Sequence, residues 1–498
     1  MNATVDFHWG ALSGGLALLA TLVLCLCLDM GHGRRWRVAT GWAALIGVVV
    51  ALLAVLRSTG SVALAFGARV DGVHEPILKF DGYTRSLGAI CLLGTALCML
   101  LSMGYLERYR AQRGEYYILM LLSALGMLLI AGGNDLMVIF IGVELLSLPL
   151  YILAGFRRTA ESSEASLKYF LLGAFSSGFL LYGIALVYGA TGTTNLTRMA
   201  ASLPVGSGLF RAGILLVLVG FAFKVAAVPF HQWAPDVYQG APTPVTAFFA
   251  SAPKVAGFAG ILRIFLLSST SYHGEWQMVF AVLAALTMTV GNVMALTQTN
   301  VKRMLAYSSV AHAGYVLVGL SAGTTGVSSA IFYLLLYSLM SIGAFGALIL
   351  HGDEKDERLS LNDFAGMGFR RPVLGAGIAL LLLSLAGFPP TAGFLGKLFL
   401  FREAYEAGLT WLVVIGVLNS VVSAFYYLSV VVKMYMTSAP RERAVAKRLP
   451  ALARGMVVAA LVVALLGVVV GGIAPSRLMS LVNTNSPAVT ALSNGQGS

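Results

Sequence analysis

The chain has 498 residues, of which 58% are hydrophobic and only 11% are charged. Soluble globular domains carry about 25% charged residues, so this composition excludes a water-soluble globule. The net charge of +12 does not indicate a nucleic-acid partner, because the basic residues concentrate in loops on one side of the predicted membrane spans. Every backbone polar group inside a bilayer needs an internal partner, which leaves helices or closed barrels. Apolar runs of about 17–25 residues without period-two alternation predict an all-α polytopic membrane protein.

These apolar runs follow one another along the whole chain and predict about fourteen transmembrane helices in a single membrane domain, residues 1–498. We expect no cleavable signal peptide, because Met1–Gly10 contains no Lys or Arg and leads directly into the first long apolar run. The predicted spans are residues 11–28, 38–56, 80–103, 116–131, 135–155, 166–189, 210–229, 244–267, 277–297, 304–320, 327–350, 373–400, 411–435 and 455–473.

The basic residues predict the orientation of these helices. If the N-terminus is outside, the clusters at 34–37, 108–113, 157–158, 370–371 and 441–448 all fall on the cytoplasmic side. Far fewer Lys and Arg residues fall on the opposite side, which agrees with the positive-inside rule. We therefore expect both termini on the outer side of the membrane.

The sequence contains no candidate site for a redox cofactor. No G-x-G-x-x-G motif follows a predicted strand, and no cysteine cluster has the spacing of an iron–sulfur site. The two histidines at or near membrane depth, His231 and His312, lie on different predicted helices, so a haem pair is not expected. We expect no cofactor and no metal in this chain, and any redox chemistry to occur in another chain.

Two of the predicted spans contain helix breaks. Span 7 carries Pro229, and span 12 carries Pro389 and Pro390, with Gly387 before them and Gly393 after them. Proline removes a backbone donor and clashes with the preceding turn, so both helices should break. Interrupted helices at matching positions of two repeats are typical of transporters. Because spans 7 and 12 are five apart, we predict two inverted five-helix repeats, spans 4–8 and 9–13. The expected units are three N-terminal helices at 1–105, a first repeat at 115–270, a second repeat at 275–437 and a C-terminal helix at 450–475.

Ionisable residues lie inside the predicted spans, where insertion scales assign a cost of about 2.5–3.5 kcal/mol to a charged side chain. Glu144 is the one carboxylate deep within a span, and the deep lysines of spans 7, 8 and 12 are Lys224, Lys254 and Lys397. A lysine in water has a pKa of about 10.4, which burial can lower by about 3–5 units and a nearby carboxylate raises again. Such a lysine can take up and release protons near neutral pH. We predict that Glu144 pairs with Lys224. Lys254 and Lys397 are predicted as further proton carriers.

The helix breaks are expected to assist these lysines. Pro229 and the proline pair of span 12 leave carbonyl groups without a backbone donor, and Pro253 does the same for the Phe249 carbonyl near Lys254. Such carbonyls can accept hydrogen bonds from a lysine or hold the waters of a proton wire.

Other polar residues in or near the spans have more than one interpretation. Arg263 is interpreted as reaching the membrane interface from the end of a span, as long basic side chains do, and Lys168 either does the same or takes part in proton transfer. His231, in the break of span 7, is predicted as a proton relay. His312 is either a relay or a hydrogen-bonded core histidine. Asp135 is predicted to cap the N-terminus of a helix.

The segment from Phe221 to Gly260 resembles the antiporter-like membrane subunits of respiratory complex I, the NADH:quinone oxidoreductase. The resemblance extends over essentially the whole chain. Lys397 and the run from His231 to Pro244 resemble the subunit N branch of this family more than the L and M branches. The residues that carry the resemblance are Lys224, Pro229-Phe-His231, Trp233, Pro235-Asp236, Gly240-Ala-Pro-Thr-Pro244 and Pro253-Lys254.

The resemblance implies a proton-translocating subunit. In this family, Glu144 and Lys224 would form the span-5 and span-7 pair, and Lys254 would be the central lysine of span 8. Lys397 would be the exit-side lysine of span 12, and Lys168 and His231 match polar positions of the channel. Quinone reduction elsewhere in the complex would shift charge along this line of buried residues.

The resemblance also implies partners and a location. NADH, FMN, iron–sulfur clusters and quinone are expected in partner subunits. The expected membrane neighbours are the antiporter-like subunit M, small subunits such as K, and lipids, with no nucleic acid. The expected location is the bacterial inner membrane, with both termini periplasmic. Two alternatives remain open. One is a subunit of a multi-subunit cation/proton antiporter or membrane-bound hydrogenase, and the other is a non-pumping assembly scaffold or metabolite transporter.

Overall fold

The computed structural model describes residues 9–31, 33–58, 63–70, 73–109, 111–201, 207–267, 273–353, 357–438 and 450–484. The predictions for the first eight residues and for the basic cluster at 441–448 lie outside these ranges.

The first part of the chain consists of long apolar helices and one β-hairpin. The elements are α1 (Trp9–Asp29), α2 (Arg34–Arg57), β1 (Ala63–Val70), β2 (Val73–Phe80), α3 (Gly82–Arg108), α4 (Gly114–Gly132), α5 (Leu136–Ala154), α6 (Ala160–Thr191), α7 (Leu196–Ala201), α8 (Gly208–Val225), α9 (Trp233–Gly240), α10 (Thr243–Ala250) and α11 (Ala252–Ile261), which continues as a π-helical segment, Leu262–Leu267.

The second part consists of helices and their connecting loops in its described residues, with an isolated β-bridge between Asn300 and Ser360. The elements are α12 (His273–Leu296), α13 (Val301–Ser321), α14 (Gly326–His351), a 3-10 turn (Leu361–Phe364), α15 (Met367–Arg370), α16 (Pro372–Ala386), α17 (Ala392–Glu406), α18 (Thr410–Met436), α19 (Ala451–Ile473) and α20 (Pro475–Thr484).

Membrane-spanning helices dominate this architecture. Within the described ranges, 13 helices are long and apolar enough to cross a membrane, counting Thr243–Leu266 as one. The remaining predicted span, span 12 at residues 373–400, is divided by its break into α16, which has only 15 residues, and α17. The prediction of an all-α polytopic fold with broken helices at spans 7 and 12 is therefore confirmed.

The hairpin is the one element of the described chain that the all-α prediction missed. Strands β1 and β2 pair antiparallel, and the hairpin is tied to the helices because the Asn134 N–H donates to the Ile77 carbonyl at 2.8 Å. The Nδ2 atoms of Asn134 and Asn195 both donate to the Pro76 carbonyl at 2.9 Å. The Asp71-Gly72 dipeptide was the available sequence signal, because Asp-Gly between apolar runs is typical of hairpins.

The centre of the bundle is formed by α10, α11 and α13. The most apolar stretches of Thr243–Leu266 and Val301–Ser321 are 100% buried, whereas that share is 33% in α18 and α19 and 22% in α1. Large apolar side chains on the outside, such as Phe175 and Phe425, are exposed as expected for a lipid-facing surface. Polar groups on the central helices are therefore far from lipid, where other protein groups or buried water can pair with them.

Close helix packing depends on small residues. At the crossing of α4 and α5, a Cβ atom on Gly126 would lie 2.5 Å from the Leu146 nitrogen and 2.7 Å from the Gly142 oxygen. Both contacts are with backbone, which cannot move aside as a side chain can. The glycine therefore sets the separation of these helices, as small residues do in membrane proteins.

Asp135 caps α5, as the sequence predicted. Its side chain accepts hydrogen bonds from the backbone N–H groups of Met137 at 2.8 Å and Val138 at 3.4 Å. These bonds satisfy amides that have no partner within the helix.

Arg263 contradicts the interpretation that it reaches the membrane interface. The residue is 1% exposed, and its guanidinium donates to Asp81 Oδ2 at 2.7 Å and Oδ1 at 3.2 Å. It also donates to the Thr84 hydroxyl at 2.6 Å and the Ala131 carbonyl at 2.9 Å. The position near the end of a predicted span was correct, but the side chain turns inward because the N-terminal turn of α3 supplies a carboxylate.

Glu357 joins several helix ends at the other end of the bundle. Its carboxylate accepts hydrogen bonds from Thr243 at 2.8 Å, Lys302 at 3.4 Å and Arg157 at 3.1 Å, and also from the Tyr105 hydroxyl. Burial on its own raises the pKa of Glu357, but the Lys302 charge and these hydrogen bonds outweigh it and lower the pKa below the usual value. The carboxylate is therefore ionised at neutral pH and attaches the loop between α14 and the 3-10 turn to the ends of these helices.

Candidate functional site

Lys224 lies on the last turn of α8, facing α5. Its Nζ donates to the Ser147 hydroxyl at 2.6 Å and to the Tyr151 hydroxyl at 3.4 Å. The ammonium also lies 5.6 Å from the ring centre of Tyr151 and 5.6 Å from that of Phe223. The lysine is therefore held by hydroxyls and aromatic faces, and the prediction that a break carbonyl accepts a hydrogen bond from a lysine does not hold at this position.

Glu144 is half-buried and lies three residues before Ser147 on the same side of α5. Its carboxylate accepts a hydrogen bond from the Ser177 hydroxyl of α6. Among the described residues, no ion pair within 4.0 Å joins Glu144 to Lys224. Glu144 and Lys224 are thus not in direct contact. The lysine donates its hydrogen bond to Ser147, one turn away from Glu144 on the same face of α5.

The break of span 7 begins at Ala226, which has a left-handed backbone with φ of 59° and ends α8. Trp233 Nε1 donates to the Phe223 carbonyl at 3.0 Å, and the Val228 N–H donates to the Thr287 hydroxyl at 3.0 Å. These bonds use groups that a continuous helix would pair internally. The Nδ1 atom of His231 is buried and has no hydrogen-bond partner among the described residues.

Lys254 lies in the first turn of α11, directly after an interruption of the helix at Ser251. Ser251 has φ of −113° and ψ of −101°, which separates α10 from α11. Lys254 is 2% exposed, and its Nζ donates to the Ser309 carbonyl at 2.6 Å and to the Ser309 hydroxyl at 2.5 Å. The acceptor is therefore on α13, and the prediction of the Phe249 carbonyl is wrong.

His312 is one turn further along α13 and is 2% exposed. Its Nδ1 lies 2.7 Å from the Tyr333 hydroxyl, and its Nε2 lies 3.1 Å from the Tyr427 hydroxyl. Tyr427 also bonds to the Ser308 hydroxyl. Both ring nitrogens are therefore paired with hydroxyls that can donate or accept a proton, which suits either interpretation of this histidine.

Lys397 lies on α17 and reaches back to the end of α16. Its Nζ donates to the carbonyls of Leu385 at 3.2 Å and Ala386 at 2.9 Å, the last turn before the break. The prediction that break carbonyls accept hydrogen bonds from a lysine is confirmed here. Gly387, with φ of 88°, ends α16 in a left-handed turn, and the lysine passes so close that a Cβ there would lie 3.2 Å from its Cδ.

A second polar cluster, which the sequence analysis did not identify, extends from Lys397 toward α18. The ammonium lies 4.4 Å from the ring centre of Tyr315. The hydroxyl of Tyr315 is within 3.4 Å of Asn292 Nδ2 and Ser420 Oγ, and Asn292 in turn bonds Asn419 at 3.1 Å. Two asparagines inside predicted spans 9 and 13 were the available sequence signal, because amides at membrane depth need partners.

Lys168 lies apart from the buried lysines. Its side chain is 43% exposed, and its Nζ pairs with Glu164 at 2.6 Å and Asp236 at 3.0 Å. Arg303 also pairs with Asp236 at 2.7 Å. Burial raises the pKa of Asp236, but hydrogen bonds from Lys168 and Arg303 outweigh it and lower the pKa. Lys168 is therefore part of an ion-pair cluster at the edge of the bundle.

The structure thus places Lys254 and His312 on the central helices α11 and α13, and Lys224 and Lys397 on the adjoining helices α8 and α17. α8 and α11 meet closely, since a Cβ on Gly257 would lie 3.6 Å from the Cβ of Lys224. Helix α13 connects the other three residues. It carries His312, its Ser309 accepts the hydrogen bond from Lys254, and its Tyr315 ring faces Lys397. No direct hydrogen bond among the described residues joins one of the three deep lysines to another. Chemically, the arrangement is a line of lysine, histidine and hydroxyl groups that can each hold a proton.

Comparisons with known proteins show the family to which this chain belongs. Residues 131–423 match the family described as "NADH:quinone oxidoreductase/Mrp antiporter, TM", which is more than half of the chain. The chain is 46% identical over 434 residues to a protein from Trichlorobacter lovleyi named "NADH-quinone oxidoreductase subunit N", covering 86% of each chain.

Solved structures show the same likeness. A chain of respiratory complex I from Thermus thermophilus with bound aureothin is 37% identical with a TM-score of 0.78, over 94% of this chain and 98% of that one. A chain of an archaeal membrane-bound sulfane sulfur reductase is 26% identical with a TM-score of 0.84, over 96% of this chain and 97% of that one. The chain therefore belongs to the NADH:quinone oxidoreductase/Mrp antiporter transmembrane family, together with the NADH-quinone oxidoreductase subunit N proteins.

Proposed function

We propose that this protein is a proton-translocating membrane subunit of an NADH-quinone oxidoreductase. The observation that carries the proposal is the set of three lysines on α8, α11 and α17, two of them beside a helix break and the third directly after an interruption. Ionisable residues at this depth persist where they serve transport or proton relays. The name of the Trichlorobacter lovleyi relative supports the assignment to the NADH-driven enzyme.

Proton transfer begins, in this proposal, with Lys224 and Glu144. Lys224 is bonded to Ser147, which lies one turn from Glu144 on α5. A small movement of the ammonium from the hydroxyl to the carboxylate exchanges a neutral partner for a charged one. This exchange changes the proton affinity of the lysine, and quinone reduction in a partner subunit supplies the charge displacement that drives it.

Lys254, His312 and Lys397 continue the path in this proposal. Lys254 passes its proton along the serine and tyrosine hydroxyls around Ser309 toward His312. Tyr315 separates His312 from Lys397, with the rings of Tyr315 and His312 5.6 Å apart, so water completes the link. His231 is proposed as a relay beside the span-7 break, and Lys168 as a charge at the rim that orients Asp236.

We further propose that residues 115–270 and 275–437 are inverted repeats, flanked by the helices of 1–105 and 450–475. The similar placement of α8–α9 and α16–α17 supports this proposal, since each pair surrounds a proline-containing break whose carbonyls bond side chains. Inversion places the two breaks on equivalent sides of a two-fold axis in the membrane plane.

The location and partners follow from the same assignment. We propose the bacterial inner membrane, with both termini periplasmic and subunits M and K as neighbours. NADH, FMN, iron–sulfur clusters and quinone belong to partner subunits in this proposal. The half-buried position of Glu144 and the exposed face of α6 suit such a neighbour, because a carboxylate would not be left facing lipid.

The decisive experiment changes Lys254 within the intact complex. Lys254→Met removes the ammonium, and Lys254→Arg keeps a positive charge that does not release its proton. Both variants, reconstituted in proteoliposomes, should oxidise NADH while proton uptake per NADH falls. Lys433→Met, a half-buried lysine near the end of α18, is the matched control and should leave the ratio unchanged. An unchanged ratio in both Lys254 variants contradicts the proton-carrier role.

The likeness to the sulfane sulfur reductase favours a second candidate, a subunit of another ion-translocating membrane complex. Purification from native membranes and identification of the co-purifying chains distinguishes the two. Flavin and iron–sulfur subunits that oxidise NADH indicate the first assignment, and their replacement by hydrogenase-like or antiporter chains indicates the second.

A further inference from the structure

A groove of about 420 Å³ lies at one end of the bundle, where α3 and α14 end and α16 and α19 begin. The part of the groove at the helix ends is basic, and the part that runs along α16 and α19 is apolar. No carboxylate occurs among the described residues that line it. The basic residues are Arg108, Arg370, Arg371 and Arg454, and the apolar wall consists mainly of Val373, Leu374, Val458, Leu461, Val462 and Leu465.

Three of the arginines are held in place by backbone carbonyls. Arg108, which is 9% exposed, donates to the Ile349 carbonyl at 2.6 Å. Arg371 donates to the Leu350 carbonyl at 2.9 Å, and Arg370 donates to the Ala365 carbonyl at 2.6 Å. Arg454 approaches from the first turn of α19 and is exposed. Three held guanidinium groups and the exposed Arg454 line one opening, which suits an anion with several oxygen acceptors, such as a phosphate.

The apolar wall has the dimensions of one membrane leaflet. Val458, Leu461, Val462 and Leu465 follow Arg454 on one side of α19. From Arg454 to Leu465 the helix rises about 16 Å, at 1.5 Å per residue. This is about half of the ~30 Å hydrocarbon core of a bilayer. A soluble anion would use the arginines but not this wall, whereas an acyl chain attached to a phosphate would use both.

We propose that this groove is a specific site for an anionic phospholipid, whose phosphate binds the four arginines while an acyl chain lies along α16 and α19. The arginines belong to helix ends on the predicted cytoplasmic side, where a headgroup of the inner leaflet lies. Because the lipid joins the ends of α3 and α14 to the starts of α16 and α19, it holds the half-helix α16 against the rest of the bundle. α16 supplies the carbonyls that bind Lys397, so the lipid also supports that contact. Proton transfer through Lys397 is part of the proposed function, but lipid binding does not depend on it.

The test uses the intact purified complex and a photoactivatable phosphatidylglycerol. In wild type, crosslinks should map to 372–377 and 450–465, and a phosphatidylcholine analogue with the same acyl chains should label these segments several-fold less. Arg370→Gln with Arg454→Gln should reduce phosphatidylglycerol labelling about tenfold or more, since charge-assisted hydrogen bonds are lost. Arg402→Gln, an exposed arginine paired with Glu406 on α17, is the matched control.

A second variant keeps the experiment informative if the arginine variant fails to assemble. Val462→Trp fills the apolar part of the groove and leaves every arginine in place, so it should displace the acyl chain and also reduce labelling. Equal labelling by both lipids overturns the proposal, as does full competition by millimolar inorganic phosphate. A protein crosslink from these positions to a neighbouring subunit in delipidated complex also overturns it. Since NADH oxidation and Lys254-dependent pumping are measured separately, failure of this site is distinguishable from failure of the proposed function.

Discussion

Gly393 is the position at which a single methyl group should disturb Lys397. It lies where α17 approaches the end of α16, and a Cβ atom there would be 1.7 Å from the Ser384 carbonyl oxygen. Non-bonded heavy atoms need roughly 3.5 Å, so Gly393→Ala must separate the two half-helices by roughly 1.8 Å. Lys397 Nζ lies 3.2 Å and 2.9 Å from the carbonyls of Leu385 and Ala386, so the same movement stretches both bonds beyond hydrogen-bonding distance.

The expected cost combines two effects. Overpacking a tight site costs about 1–3 kcal/mol, and a lost hydrogen bond to a charged group costs about 1.5–3 kcal/mol. We therefore expect Gly393→Ala to lower the stability of the subunit by about 2.5–6 kcal/mol. Alanine is intrinsically more favourable than glycine within a helix by about 1 kcal/mol, so a loss of stability here reports the clash and not the helix preference.

The assay compares proton uptake and NADH oxidation in proteoliposomes that contain the purified complex. Gly393→Ala should lower the ratio of protons to NADH and the midpoint of thermal unfolding. Gly15→Ala on α1, where a Cβ would meet no heavy atom within 4 Å, is the matched control and should change neither. If Gly393→Ala keeps both values of the wild type, the close contact of α16 and α17 does not position Lys397.

Three further predictions concern other buried polar groups. Glu357→Gln should lower thermal stability at pH 7; because the pKa of Glu357 is lowered in the folded protein, its stabilisation is lost as the pH falls through that value. The difference from wild type should therefore persist down to about pH 4.3 and shrink below it, and a constant difference refutes this. Arg263→Met leaves Asp81 unpaired and should cost about 3–5 kcal/mol, measured as the yield and melting temperature of the complex; adding Asp81→Asn should recover part of it. Tyr427→Phe removes the hydroxyl that joins Ser308 to His312 and should slow proton pumping more than NADH oxidation, whereas equal slowing of both argues against a path through this hydroxyl.

Local features of the sequence predict the spans and the breaks because both depend on neighbouring residues. Apolar runs determine insertion, and proline in the middle of a run removes the donor wherever the helix packs. The interruption at Ser251 has no comparable signal, and span 8 was predicted as one helix. Its proline, Pro253, lies in the first turn of α11, where proline is compatible with a helix and does not itself mark the break. Only the conformation of Ser251 itself shows that α10 has ended.

The partners of the buried charges depend on packing between distant segments. Ser309 is 55 residues from Lys254, and Asp81 is 182 residues from Arg263. A single sequence gives the depth of each charge but not the direction in which its side chain points. For this reason Lys224 was predicted to pair with Glu144, while the structure gives it Ser147, a residue whose hydroxyl is common on apolar helices and carries no local signal.

The carbonyls that bind Lys397 give this lysine an unusual counter-charge. They belong to the last turn of α16, and the C-terminal end of a helix carries about half an elementary negative charge from its aligned peptide dipoles. Unlike a carboxylate, this partial charge cannot be neutralised by a proton. Lys397 can therefore lose its proton without leaving an unpaired anion in the membrane, and can regain it without an acidic partner competing for the same proton. In the proposed proton transfer, the helix end is therefore a fixed partial charge, and the lysine is the only one of the two groups that gains or loses a proton.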